Sequence, residues 1–380
     1  MNAIAACPDE ATLASFCSGR LAGEAAAAIA SHVDGCASCL RRAAQVARTT
    51  AQAVGLEAIG HIVSDVPRRI EEYHLVRRIG QGAMGQVFQA IDLNLDRPVA
   101  IKLLTMERKD AAMARFLVEA RAVARLSHAN VVTIHRVGEI GGHPYLVYEL
   151  VRGQSLDQVA RPMPWPRVKE VALGLARGLA AAHRAGVLHR DIKPANAMLC
   201  EDGSVKLLDF GLAKLGDSGA GPSEDEGGAG GASGPLVDDA SGPVALDRSP
   251  LSARSPVLSL TATGATMGTP LYMAPEAWRG ERPTARADLY SLGAVLWELC
   301  AGVPLHAGLT LEDVKLASTR PTRPLAPMVP GVDPAFAAAV ERCLAVEAGA
   351  RFASAEELIA AKDELFAGRR SKVPRMGFGK

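Results

Sequence analysis

Long apolar runs are missing from this chain. No stretch of its 380 residues reaches the roughly 18 uninterrupted apolar positions that a membrane-spanning helix needs, the longest candidate being the short alanine run Ala25 to Ala30. Neither a membrane span nor a signal peptide is expected, and the chain reads as cytoplasmic. Net charge is missing too. With 42 basic residues against 41 acidic ones the balance is +1, so the molecule as a whole has no bias toward nucleic acid or other polyanions. An evenly spread disulfide framework is also absent. Of seven cysteines four precede position 40, and the spacing Cys36-Ala-Ser-Cys39 favours metal or redox chemistry in a reducing compartment. The length leaves room for more than one domain.

What is present centres on His189 to Gly211, HRDIKPANAMLCEDGSVKLLDFG. Asp191, Asn196 and Asp209 stand among apolar, strand-like runs, an odd place for acceptors unless something cationic collects them. Upstream, Tyr73 to Ile79 reads as a strand, Gly80-Gln81-Gly82-Ala83-Met84-Gly85-Gln86-Val87 comes at once after it, and Phe88 to Ile91 resumes an apolar strand. That is a hairpin whose missing side chains let backbone amides close over phosphate oxygens. A dinucleotide fold shows the same glycines but places a helix after them. Lys102, seventeen residues after Gly85, ends the apolar run Val99-Ala100-Ile101-Lys102 and needs an anion to offset its desolvation. Nucleotide phosphates are the nearest candidates, with Glu119 as structural partner from an amphipathic helix, Ala111 to Leu126; a solvated glutamate is the alternative. Val131 to Val137 and Tyr145 to Val151 supply two more strands, and Trp165-Pro166 opens a long helix to about Ala185.

Taken in order, the glycine loop, V-A-I-K, HRDIKPAN, DFG and Ala274-Pro275-Glu276 resemble the motif set of the bacterial eukaryotic-like (Hanks-type) serine/threonine protein kinases. The resemblance covers about residues 73–366. It implies an α+β, bilobal fold with a β-rich N-lobe (73–148), a hinge (149–151) and a helical C-lobe (152–366). It also implies ATP-dependent phosphorylation of serine and threonine hydroxyls on protein substrates. Asp191 would accept the substrate proton, Lys193 would steady the phosphoryl group, and Asn196 with Asp209 would hold Mg2+, or Mn2+ in its place. The nucleotide pocket would comprise Ile79, Gly80, Gly82, Gly85, Val87, Ala100, Lys102, Glu119, Glu149 and Val151, with Tyr148 at the mouth of the hinge. Arg351 would pair with Glu276, and Asp288 would anchor the catalytic-loop backbone. A catalytically idle scaffold is the competing class, but no phosphate-handling position is missing. A small-molecule kinase of the aminoglycoside type is disfavoured by Ala274-Pro275-Glu276 and by Gly268-Thr269-Pro270-Leu271-Tyr272, which resemble a peptide-substrate platform.

The main departure from the family lies between Asp209 and Glu276, 67 residues apart. Gly216 to Pro250 holds nine glycines and one arginine against seven acids with no apolar period, so an insertion over about 216–258 is expected to be disordered and to serve as a spacer rather than a docking segment or autoinhibitory flap. By position Thr261 and Thr263 resemble the activating pair of bacterial kinases, autophosphorylated within a transient dimer and read by Arg190, while Thr269 resembles the residue that bonds near Asp191. Ser354-Ala355-Glu356-Glu357 is a capping box for the last helix, and residues 367–380 form a basic tail.

Residues 1–48 are alanine-rich with leucine and isoleucine at helical intervals, and His32, Cys36 and Cys39 form H-x3-C-x2-C. On a helix the step from His32 to Cys36 puts both on one face. Tetrahedral zinc needs a fourth ligand, either Cys7 or Cys17. The pattern resembles the zinc-binding domain of anti-sigma factors, which selects Cys7 and implies a sigma factor or another regulator as partner. Buried structural cysteines and a thiol switch are the alternatives. Residues 49–70 read as a linker or a short connecting helix that hinges this module to the kinase-like part of the chain.

Overall fold

The computed structural model describes residues 7–18, 20–21, 23–53, 69–82, 85–105, 110–211 and 270–367. The expected insertion, Thr261, Thr263, Thr269, and the tail beyond Ala367 lie outside them.

Three helices come first: α1 (Glu10–Cys17), α2 (Gly23–Gly35) and α3 (Ala37–Ala53). Asp9 caps α1 by accepting from the Thr12 amide at 2.7 Å. Leu13, Phe16, Ile29, Ala30, Val33 and Ala43 close their small core. The expectation of a hinge gives way here to a docked arrangement. Ile91 and Leu93 join the same apolar cluster. Arg48 reaches both the Leu93 carbonyl and the Asp96 carboxylate at 2.7 Å. His74 Nε2 lies 2.9 Å from the Cys17 carbonyl, and Gln89 donates to Asp34 at 2.7 Å. α3 also runs five residues past Arg48 into the stretch expected as a linker or short connecting helix, of which 54–68 lies outside the described residues.

A curled six-stranded antiparallel sheet comes next: β1 (Arg69–Ile70), β2 (Tyr73–Gly82), β3 (Gly85–Asp92), β4 (Arg97–Leu104), β5 (Ile134–Ile140) and β6 (His143–Glu149), in the order β1-β2-β3-β4-β6-β5. Tyr73, Phe88, Val99, Ile101 and Tyr145 pack together on one of its faces. α4 (Asp110–Ala124) packs on the other face through Phe116, Ala120 and Val123. Val131 and Val132 stay out of β5 although the sequence reads as strand from 131. The Val132 amide instead donates to the Leu207 carbonyl at 2.9 Å, which ties this loop to the lower lobe.

The lower lobe begins with β7 (Gly153–Ser155), which pairs with β8 (Ala197–Cys200), itself paired with β9 (Val205–Leu207). Its helices are α5 (Trp165–Arg184), α6 (Pro275–Trp278), α7 (Ala285–Ala301), α8 (Leu311–Ser318), α9 (Pro334–Cys343) and α10 (Ala355–Ala367). α5 starts with proline in its first turn, where a missing amide hydrogen costs nothing. α7 ends on Gly302 at φ 84°, a left-handed cap. The capping box closes as expected at its first bond: the Glu357 amide donates to Ser354 Oγ at 3.2 Å, while the Glu357 carboxylate reaches one residue further back, to the Ala353 amide. The core is Leu175, Leu179, Leu292, Leu296 and Trp297, all essentially sealed from solvent. No helix among the described residues is long and apolar enough to cross a membrane.

Candidate active site and metal centre

A cleft of about 1200 Å³ opens between sheet and helical lobe. From above it is lined by Ile79, Gly80, Gly82, Gly85, Val87 and Lys102, and from below by Val151, Asp191, Lys193, Asn196 and Asp209. Gly82 pairs with Gly85 at the tip of the β2–β3 hairpin. Gly85 has φ 141°, and a Cβ there would stand 1.9 Å from the Leu103 carbonyl oxygen, so only glycine fits. Ala100 and Lys102 are both on β4, which runs between β3 and β6 and so aims the lysine into the cleft.

The floor is built on one buried carboxylate. Asp288, in the first turn of α7, accepts from the backbone amides of His189 and Arg190 at 2.8 Å each and lies 2.9 Å from His183 Nε2. The His189 ring is wholly buried. Its Nε2 lies 2.8 Å from the Leu208 carbonyl and its Nδ1 accepts from the Asp191 amide at 3.3 Å, a division of roles that only the neutral ring allows; burial pushes its pKa down from 6.5. Asp191 is nearly sealed from solvent. Its Oδ2 accepts from Lys193 Nζ at 2.8 Å and from Asn196 Nδ2 at 2.9 Å, so three of the polar groups singled out in the sequence meet here. The Leu208 amide donates to the Asn196 carbonyl at 2.8 Å, bringing Asp209 alongside.

Two pairings differ from expectation. Lys102 does not meet Glu119. Its ammonium lies 2.7 Å from Asp209 Oδ2, while Glu119 accepts from Arg190 at 3.1 and 3.2 Å. The reason is local: the Asp209 carboxylate stands directly under the lysine, and the Arg190 guanidinium brings one nitrogen within reach of both Glu119 oxygens. Arg190, expected to meet a phosphothreonine, is thereby engaged with α4. Tyr148 is likewise not at the mouth of the hinge. It is buried at the back of the cleft with its hydroxyl 3.5 Å from Asp209 Oδ1, and burial, reinforced by the Asp209 charge, pushes its pKa well up. The Glu149 side chain is also occupied. Although burial opposes it, the Lys206 ammonium at 2.7 Å and the Thr133 amide at 2.9 Å hold its pKa below 4.5.

Below the site, Arg351 is 1% exposed and grips Glu276 through two bonds of 2.6 and 2.8 Å while also donating to the carbonyls of Ala345, Arg286 and Val346. Burial alone would raise Glu276, but the guanidinium holds its pKa below 4.5.

The second cluster lies in the helical module. One donor atom each from Cys7, His32, Cys36 and Cys39 falls within 4.8 Å of the others, and Cys7 Sγ and Cys36 Sγ are 4.0 Å apart. Zinc at about 2.0–2.3 Å from each ligand spaces its donors by roughly 3.5–3.8 Å, so a small contraction completes a tetrahedron. Cys17, the alternative ligand, is turned away with its thiol 3.5 Å from the Ala43 carbonyl. Hydrogen bonds from Cys39 bring the Cys36 thiol down to about 7, whereas burial pushes Cys39 up to about 11. Sequence reasoning missed the placement of Tyr148, the role of the His189 ring, and the α2 residue Asp34, which also lines the cleft.

Comparisons with known proteins agree with this geometry. The protein kinase domain family model matches residues 73–228. The serine/threonine-protein kinase PknL of Mycobacterium tuberculosis is 35% identical over 235 residues, covering 60% of this chain and 49% of that protein. PknH of the same organism is 35% identical over 301 residues, covering 77% of this chain and 41% of that protein. The chain thus spans less than half the length of these curated relatives. Among solved structures, the M. tuberculosis PknI kinase domain superposes with a TM-score of 0.54 at 25% identity, covering 80% of this chain and all of that one. A glycine-tipped hairpin over a lysine, a loop carrying Asp191 and Asn196, and the matching family model together mean that this chain carries a protein kinase domain, similar to those of the bacterial serine/threonine-protein kinases it matches.

Proposed function

We propose that the chain is an ATP-dependent serine/threonine protein kinase, with residues 73–366 as its kinase unit, which transfers the γ-phosphoryl group to hydroxyls of protein substrates in the cytoplasm. The observation that carries this reading is the convergence of Lys102, Asp191, Asn196 and Asp209 on one cleft under a glycine-tipped hairpin. Asp191 is held by Lys193 and Asn196 and faces the cleft, where it can orient a hydroxyl and accept its proton. Asn196 spends its amide nitrogen on Asp191, which leaves its amide oxygen, with the Asp209 carboxylate, as an oxygen pair suited to Mg2+ or Mn2+. A bound divalent ion would neutralise phosphate charge. Lys193, 2.8 Å from Asp191 and lining the same cleft, can steady the transferring group.

The described pairing is a resting one. Lys102 engages Asp209 through Oδ2; with a divalent ion drawing on that carboxylate, Lys102 would turn to the α- and β-phosphates, and Glu119, on leaving Arg190, would support it. Arg190 is thereby released for a phosphothreonine. Autophosphorylation at Thr261 and Thr263, within a dimer of this chain, would hold the exchanged state in place. The Cys7, His32, Cys36, Cys39 cluster has the donor chemistry and closeness for a structural zinc, and the module carrying it is suited to receive a sigma factor or another regulatory protein.

The test is phosphate transfer from γ-labelled ATP with Mg2+ by the full chain, wild type against Asp191→Asn. Labelling on threonine is expected, with a fall of about 10²–10⁴-fold in the variant, the scale of a lost general base. Equal labelling by both proteins would refute the assignment.

A further inference from the structure

The helical module contributes to the nucleotide cleft itself. Ala27, Ser31 and Asp34 recur at steps of four and three, so they share one face of α2, and all three line the cleft beside Ile79, Gly80 and Arg152. A second face of the same helix carries Ile29, Ala30 and Val33 into the module core. Beyond these, His32 stands on α2 one turn before Cys36, so the helix that walls the cleft is also the one the Cys and His cluster would fix.

The wall is wired to the sheet. Asp34 accepts from Gln89 Nε2 at 2.7 Å, and Gln89, 3% exposed, belongs to β3, the strand that begins at Gly85. The Arg152 and Arg77 charges also act on Asp34, and both arginines line the same cleft. α2 otherwise buries only Ile29, Ala30 and Val33 in the module core, a narrow apolar face to hold a short helix. Bonds from His32, Cys36, Cys39 and Cys7 to one ion would tie its C-terminal end to α3 and to the start of the chain, and in such modules metal-binding free energy is folding free energy.

We propose that α2 is the outer wall of the nucleotide site and that zinc in the Cys7, His32, Cys36, Cys39 cluster, by fixing that wall, sets the affinity for nucleotide. This rests on the reading of the cleft as a nucleotide site. It makes the module a metal-responsive input to the kinase, acting through Ser31 and Asp34 from outside the kinase unit.

The experiment is a titration of the full chain with a fluorescent methylanthraniloyl-ADP in Mg2+, using zinc-loaded protein and protein stripped by a zinc-selective chelator. Stripping is expected to weaken binding about tenfold, and Cys36→Ser to match it. Ser31→Trp, which places an indole at the cleft edge, should weaken binding at least fivefold while its zinc content stays at that of wild type; this variant keeps the test alive if Cys36→Ser does not fold. Lys102→Met is the control for the site. If Lys102→Met abolishes binding while zinc removal and Ser31→Trp each change the Kd less than twofold, the inference is overturned and the kinase reading stands. If the loaded wild-type chain binds no nucleotide, both are overturned.

Discussion

The sharpest prediction concerns the pairing of Arg190 with Glu119. One guanidinium nitrogen lies 3.1 and 3.2 Å from the two carboxylate oxygens, with the side chains 27% and 36% exposed. At that exposure water screens the pair, and a contribution of about 0.5–1 kcal/mol is the appropriate scale. Replacing Arg190 by methionine removes the pair without disturbing the backbone amide that binds Asp288, because that bond involves main chain on the Arg190 side. The population with Glu119 free for Lys102 should then rise about two- to fivefold. The assay is the initial rate of phosphate incorporation by protein first stripped of phosphate. Arg190→Met should raise it by that factor, whereas Glu119→Gln, which removes the acid Lys102 needs, should lower it at least about tenfold. If Arg190→Met instead falls as far as Glu119→Gln, the pair is part of the working arrangement and the exchange of partners is refuted.

Buried groups and the metal cluster supply the remaining predictions. Glu276→Gln leaves the Arg351 charge sealed in the lower lobe with only carbonyls to satisfy it, and a loss of about 3–5 kcal/mol in urea unfolding is expected. Because Arg351 holds the folded pKa of Glu276 below 4.5, the pair's contribution is complete above about pH 4.5 and is lost as pH falls through the lower folded value; wild type should therefore lose stability more steeply in that window than Glu276→Gln, which keeps only the loss due to other depressed carboxylates such as Glu149. Metal analysis of the full chain should find about one zinc per chain, absent in Cys36→Ser, and less than about half an equivalent in the wild type would remove the site.

The elements legible in the sequence are those whose chemistry is written in consecutive residues. The glycine hairpin, the apolar run ending on Lys102 and the loop from His189 to Asn196 each carry their own geometry, and the helix from Trp165 was readable from its proline and its spacing. What escaped was the choice among distant partners wherever no motif names the pair, as one does for Arg351 with Glu276 and for Asp288 with the loop at His189. Lys102 has Asp209 and Glu119 both available, and only packing decides which is nearer. Tyr148 reads as one more strand residue, yet it stands behind Lys102 because β6 lies next to β4. The docking of the module depends on Asp34 meeting Gln89 and on His74 meeting the Cys17 carbonyl, 55 and 57 residues apart, and no local pattern announces either.

Asp288 has a consequence for how the two ends of the reaction can vary. By fixing the amides of His189 and Arg190 to the opening turn of α7, it makes the placement of Asp191 a property of the lower lobe's interior. Lys102 and the hairpin belong to the sheet above. Acceptor geometry and donor affinity are therefore separable inheritances: the sheet and its attached helices can be retuned without moving the group that receives the proton.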